Sequence, residues 1–202
     1  MASSHYFDPE PAAASRPGEV RLVLGDGQLA LRTDRGVFSA GRADPGTLVL
    51  LRSVPDPPVA GELLDLGCGY GPIACTLARR APGATVWAVD VNRRARELTS
   101  ANAARLGLSN VRVVEPSEVD PALRFSAIWS NPPVRVGKEA LHGLLATWLA
   151  RLTPEASAWL VVKRHLGADS LAAWLASEGH EVARAASKQG YRLLQVGPGR
   201  PA

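Results

Sequence analysis

Three groups of residues have the types and spacing to do chemistry. The first is Asp65-Leu66-Gly67-Cys68-Gly69-Tyr70-Gly71-Pro72, directly after a short apolar run. Glycines placed there permit a tight turn and let a ligand approach the backbone at a helix N-terminus. The second is Asp90, closing the next apolar run at the distance where an acid meets ribose hydroxyls. Two carboxylate oxygens match two vicinal hydroxyls. The third is Ser130-Asn131-Pro132-Pro133-Val134, where two prolines remove backbone donors and Asn131 adds a side-chain acceptor.

The spacing of the first group separates two ligand classes. A dinucleotide fingerprint needs a small residue where this chain has Pro72, and Asp65 would repel a pyrophosphate. The same carboxylate would attract a cation. The acceptors of the third group suit a planar exocyclic amine, whose two hydrogens need acceptors and whose lone pair is delocalised. Holding both hydrogens draws such a nitrogen towards tetrahedral geometry and frees its lone pair to attack. Catalysis would then be orientation and electrostatic stabilisation, without a strong general base.

These groups need strand ends to carry them, and the chain supplies alternating elements. Glu62 to Leu66, Thr85 to Asp90, Val111 to Val114, Phe125 to Ser130 and Ala158 to Lys163 read as buried strands. Between them Gly71 to Arg80, Arg93 to Leu106 and a stripe of Leu141, Leu144, Leu145, Trp148, Leu149 and Leu152 read as helices. Ser170 to Ser177 is a further helix. Glu181 to Ala185 and Tyr191 to Val196 form a closing strand pair around Ser187 to Gly190. The alternation predicts an α/β fold with a mostly parallel sheet covered on both faces and a closing antiparallel pair. Ligands then bind at the carboxyl ends of the strands. Ahead of it, Val20 to Leu24 and Gln28 to Arg32 flank Gly25-Asp26-Gly27 as a β-hairpin, and Asp44 to Val54 is a short helix closed by prolines. Residues 1–58 are read as a lid-like extension packed on a main domain of residues 59–202.

Composition sets outer bounds. The 202 residues carry a net charge of +4, which is compatible with a nucleic-acid partner without requiring one. No apolar run is long enough to span a membrane, and the N-terminus lacks a secretion signal. Two cysteines, Cys68 and Cys75, make no disulfide framework or metal cluster, so a cytoplasmic chain without a metal is expected.

The DLGCGYG segment followed by Ala88-Val89-Asp90-Val91-Asn92 resembles the cofactor motifs of class I S-adenosylmethionine-dependent methyltransferases, which have a Rossmann-like fold. The resemblance implies that Asp65, Gly67 and Gly69, with Cys68 and Tyr70 between and beside them, line the methionine end. Asp90 would hold the ribose, with Val91 and Asn92 close by. Such families place an acid after the third strand to meet the adenine amine. Here Glu115-Pro116-Ser117-Glu118 stands there, and Ser117 or Glu118 is the candidate.

The Asn-Pro-Pro turn resembles the signature of methyltransferases acting on adenine N6, guanine N2 or a protein glutamine amide. It makes Asn131, Pro132 and Pro133 the catalytic candidates, with Asn131 also beside the cofactor. Val134 replaces the usual aromatic and cannot stack on a base, so Phe38, Tyr70 or Phe7 would have to. His5-Tyr6-Phe7, Gly36-Val37-Phe38-Ser39, Asp44-x-Gly46-Thr47, the NPP stretch and Leu166 to Ser170 recur together in short relatives of the small-subunit ribosomal RNA guanine-N2 methyltransferases. The larger enzymes of that group carry an extra N-terminal domain for which this length leaves no room.

That resemblance implies guanine N2 in ribosomal RNA as the methyl acceptor and RNA as the partner. Phe38 and Val134 would flank the base. Arg135, Lys138, Lys163 and Arg164 lie on the expected substrate edge, where they can meet phosphates or simply be solvated. His165 reads as structural, for want of neighbours at metal-ligand spacing. The rival readings are a protein glutamine or adenine-N6 methyltransferase and a non-catalytic RNA- or cofactor-binding relative. The last would be expected to lose Asp65, Asp90 or Asn131, and all three are present.

Overall fold

The computed structural model describes residues 14–39 and 41–199. It opens with a hairpin of β1 (Gly18–Leu24) and β2 (Gly27–Thr33). Leu24 pairs with Gly27, so the turn is Gly25-Asp26 alone and Gly27 belongs to the second strand. Alternation works as pleat geometry requires: Val20, Leu22 and Leu24 are buried along with Leu29 and Leu31, while the residues between them face outward. Helix α1 (Pro45–Ser53) follows, with Asp44 as its N-cap accepting the Thr47 amide at 2.7 Å and Pro45 in the first turn.

The remaining chain builds β3 (Ala60–Leu66), α2 (Pro72–Arg80), β4 (Gly83–Val89), α3 (Arg93–Arg105) and β5 (Val111–Val114). It continues with β6 (Phe125–Ser130), α4 (Lys138–Leu149), β7 (Leu152–Lys163), α5 (Ala168–Ser177), β8 (His180–Lys188) and β9 (Tyr191–Gly199). The seven strands run in the order β5-β4-β3-β6-β7-β9-β8. The first five pair in parallel, and β9 is antiparallel to both β7 and β8. The expected α/β sheet is therefore present.

Neighbouring residues on each strand feed opposite faces. Leu63, Val86, Ala127 and Trp129 pack with Leu77, Ala95 and Leu50 under α1, α2 and α3, and the hairpin leucines join the same cluster. Leu64, Val89, Phe125 and Ile128 pack with Leu145, Trp148, Leu171 and Leu175 under α4 and α5. Each such side chain contributes roughly 1.5–3 kcal/mol by leaving water. Asn102 ties the hairpin to this body: fully buried on α3, it accepts from Arg32 N at 2.7 Å and donates to Arg32 O and Tyr70 O, both at 2.8 Å.

Several boundaries differ from expectation, among them β7, which begins at Leu152 and not at Ala158. Leu152 continues the helical leucine spacing, yet α4 ends at Leu149 and Leu152 is the first, buried residue of β7. Its apolar side chain serves the same core from the next element, which periodicity cannot distinguish. The closing pair is longer than predicted because its turn is only Gln189-Gly190, both at positive φ as a tight twisted hairpin needs.

Strand β3 has β4 on one side and β6 on the other, so the chain's winding reverses between β3 and β6. The carboxyl ends of these two strands flank the switch point, where an open α/β sheet leaves a crevice.

Candidate active site

The glycine loop leaves β3 and hooks onto the end of β4. Gly67 and Cys68 amides donate to Val89 O at 2.8 and 3.1 Å. Gly67 and Gly69 sit at positive φ, and a Cβ on either would meet no atom within 4 Å. The backbone is thus open on the side where a ligand would lie. Gly71 serves another purpose: a Cβ there would press within 3.0 Å of Thr99 on α3.

Asp65 is 0% exposed beneath this loop. Its Oδ2 accepts the Ala74 amide at 2.8 Å, capping α2 from below. Its Oδ1 has no hydrogen-bond partner among the described residues. Burial, opposed by the Ala74 amide and reinforced by the Asp90 charge, pushes its pKa up to about 8. An unpartnered buried acceptor of this kind is costly unless something cationic or protic meets it.

Asp90 lies just beyond the end of β4, not within it as the sequence suggested. Leaving the strand lets its carboxylate turn back to hold the loop: Oδ2 accepts from Gly69 N and Oδ1 from Asn92 N, each at 2.9 Å. Each oxygen keeps acceptor capacity for a further donor. Burial raises its pKa, against the pull of the two backbone amides and Arg96. Asn92 caps α3 by accepting from Ala95 N at 3.0 Å and donates to Gly36 O at 3.2 Å. It thereby fastens the Gly36 to Ser39 turn, with Phe38 41% exposed, beside the loop. Arg96, which sequence reading passed over, braces the same corner by donating to Asp90 O and Val91 O at 2.8 Å.

The third-strand acid resolves into a cap. Glu118 accepts the Glu115 amide at 2.8 Å and so faces back into its own turn. Ser117 is exposed and donates to Glu115 Oε1, so both candidates are engaged within the turn.

At the end of β6, Ser130 is buried and donates to Leu66 O at 2.7 Å, joining the two strands that flank the crevice. Asn131 follows, half-buried. Its Nδ2 donates to Asp44 Oδ2 at 2.8 Å and to Thr47 Oγ1 at 3.1 Å. Both amide hydrogens are therefore spent on α1, and the side-chain oxygen remains as the acceptor. Pro132 O accepts the Val134 amide at 2.8 Å and Pro133 O the Val136 amide at 3.2 Å. Neither carbonyl is idle, and each keeps its second lone pair.

Candidates for stacking sort by exposure. Tyr70 is 2% exposed, packed in the core with its pKa pushed up to about 12 by burial and the nearby Asp44 charge, so it cannot stack on a base. Val134 leans on the core under α4. Phe7 lies outside the described residues. Phe38 is the exposed ring left from that set. Tyr191 was not foreseen. It begins β9 opposite Lys163 and Lys188, with Lys163 Nζ 6.0 Å from its ring centre. Its ring approaches Gly46 so closely that a Cβ there would come within 2.6 Å.

Of the basic candidates, Arg135, Lys138 and Arg164 are exposed, and Lys163 is half-buried at the end of β7. The Arg164 amide donates to Gly190 O at 2.8 Å. His165 is exposed. Cys68 and Cys75 are buried free thiols, and no group that could hold a metal occurs among the described residues.

The family model for the methyltransferase small domain matches residues 28–195. An uncharacterized protein of Bacillus subtilis, YbxB, is 34% identical over 96% of this chain and 98% of its own length. Ribosomal RNA small subunit methyltransferase C of Aeromonas hydrophila is 37% identical over 66% of this chain, and that of Pseudomonas aeruginosa 34% over 78%. The chain spans only 39% and 52% of those two enzymes. Among solved structures, a T. thermophilus 16S rRNA N2 G1207 methyltransferase, in complex with AdoMet and guanosine, superposes with a TM-score of 0.76. It covers 93% of this chain and 52% of its own at 24% identity.

Proposed function

The chain belongs to the methyltransferase small domain family, and from that premise we propose that it transfers a methyl group from S-adenosylmethionine to an exocyclic amino nitrogen of a nucleobase, guanine N2 in ribosomal RNA. When bound, the cofactor supplies an activated methyl group on a cationic sulfur. The residues present fit it. Gly67 and Gly69 leave an open cradle, Asp65 Oδ1 is a buried acceptor in need of a partner, and Asp90 can take two hydroxyls on oxygens already aimed by the backbone. Asn92, Val91 and Ser117 border the same edge.

The observation that carries the reading is the orientation of Asn131. With its NH2 group committed to α1, its outward atom is an acceptor, which selects a donor such as an amine. Asn131 Oδ1 and the remaining lone pair of Pro132 O would hold the two amine hydrogens, while Pro133 stiffens the turn. The lone pair then points at the methyl group, and the proton leaves to solvent after transfer. Phe38 would stack on the base, and Arg135, Lys138, Lys163 and Arg164 would hold phosphates. A paired guanine must be exposed or flipped before its amine can enter. In this reading the N-terminal extension takes part in the site through its described residues Asp44 and Thr47.

Ribosomal RNA is favoured over protein because relatives 34–37% identical to this chain are named for it. With a ribosomal RNA substrate, the cytoplasm is the location this reading expects. Calorimetry with S-adenosylmethionine and NADH, then transfer of a labelled methyl group to ribosomal subunits and naked RNA, tests the proposal. Binding of the sulfonium cofactor with label in RNA is expected. NADH binding, or label only in protein, would reject it.

A further inference from the structure

Helix α1 stands outside the parallel sheet, yet its first turn meets the catalytic candidate. Asp44 Oδ2 accepts two hydrogen bonds at once, from Thr47 N at 2.7 Å and from Asn131 Nδ2 at 2.8 Å. Thr47 Oγ1 takes the other Asn131 hydrogen at 3.1 Å. Both α1 residues are buried, at 8% and 3% exposure. A flipped Asn131 amide would set its oxygen against a carboxylate and leave its NH2 group facing outward, so the pair admits one orientation. The helix N-terminus favours the negative charge at Asp44. Gly46, between them, is the only residue type that fits under Tyr191, whose ring would lie 2.6 Å from a Cβ. Tyr191 in turn is fixed by its register with Lys163 on β7, the strand beside β6.

We propose that Asp44 and Thr47 are positioning residues for methyl transfer, acting through Asn131 to hold its side-chain oxygen towards the substrate amine. The inference rests on the function proposed above but makes a separate claim: the N-terminal segment sets the polarity of the site. Capping alone is a competing structural role, and chemistry separates the two. Serine caps a helix as well as aspartate does, but it is too short to reach Asn131 as well. Asparagine caps equally and keeps the length.

The test compares Asp44→Ser, Asp44→Asn and Thr47→Val with the wild-type chain. The first readout is solvent exchange of the Asn131 Nδ2 hydrogens in 15N-labelled protein, which needs no substrate. Exchange should quicken on the order of tenfold in Asp44→Ser and Thr47→Val, and much less in Asp44→Asn. The second is steady-state transfer to RNA. kcat should fall about ten- to a hundredfold in Asp44→Ser, as expected for a misplaced orienting group, with KM and cofactor affinity little changed. Asp44→Asn should recover most of that loss, and every variant should remain fully folded at the assay temperature. Wild-type exchange or wild-type kcat in Asp44→Ser overturns the proposal. So does a kcat loss accounted for by unfolded protein at that temperature. If the wild-type chain methylates no amine while the exchange rates respond as expected, the proposed function fails and the orientation of Asn131 by α1 stands.

Discussion

The two loops that face each other across the switch point are built in opposite ways. On the cofactor side the two carboxylates find their partners within residues 65–92. Asp65 caps the helix that follows its own loop, and Asp90 holds Gly69 and Asn92, one in that loop and one just after itself. The substrate side is completed from far away, since Asn131 takes its two partners from residues 84 and 87 positions earlier. A loop that reads one common cofactor can be self-contained. A turn that must present an acceptor and hide a donor needs a partner of fixed polarity, and here the first turn of α1 supplies it.

This contrast can be broken at several points, with effects of decreasing size. Asn131→Ala removes the outward acceptor without touching the glycine loop. Turnover should fall roughly 10²–10³-fold, the loss seen when a preorganised hydrogen-bonding group is deleted, while cofactor affinity stays near wild type. Single-turnover transfer paired with calorimetry checks this, and an active Asn131→Ala would overturn the mechanism. Asp90→Ala should do the converse. Losing a charged hydrogen-bond acceptor costs roughly 1.5–3 kcal/mol, or one to two decades of cofactor affinity. Two buried amides, of Gly69 and Asn92, would also lose their partner, so the melting temperature should drop with it. Unaltered cofactor affinity in a folded Asp90→Ala protein would remove Asp90 from the site.

A smaller effect concerns the rim. Neutralising Lys163 and Arg164 together should weaken RNA binding and flatten its salt dependence by about 1.4, at roughly 0.7 per single-strand phosphate contact. Filter binding across a salt series reads this directly, and an unaltered slope would move the RNA face elsewhere. A separate effect, read on stability and not on binding or turnover, concerns Asp65. Its folded-state pKa of about 8 exceeds its ordinary 3.8, so the native state holds a proton that the unfolded chain loses. The resulting stability is full below about pH 4 and is lost as pH rises through about 8. Denaturant midpoints of the ligand-free protein should therefore fall over that window, and less steeply in Asp65→Asn. Parallel pH profiles for the two proteins would refute the buried, raised carboxyl.

What the sequence made legible follows the same division. Asp65, the glycines, Asp90 and the strand–helix alternation act over short distances, so spacing alone revealed their arrangement. Even the hairpin was readable, because its turn and its alternation are both local. The Asp44–Thr47–Asn131 contact was not, since nothing in a linear pattern says which helix cap will lie over which turn. Tyr191 escaped for the same reason: it reaches Gly46 only because β9 runs antiparallel beside β7. Tyr70 misled in the other direction. It belongs to the motif, but it is buried in the core cluster that also holds residues of α2, α3 and the hairpin. Leu152 shows the limit of periodicity, where one leucine spacing spans a helix and the start of the next strand.

The central claim is that this site places a methyl group on N2 of a guanine in ribosomal RNA. Its most direct test is mass spectrometry of nucleosides from small-subunit RNA incubated with the protein and deuterium-labelled S-adenosylmethionine. The account predicts labelled N2-methylguanosine, lost with Asn131→Ala. Label in N6-methyladenosine, in methylglutamine of a protein, or in no product at all would contradict it.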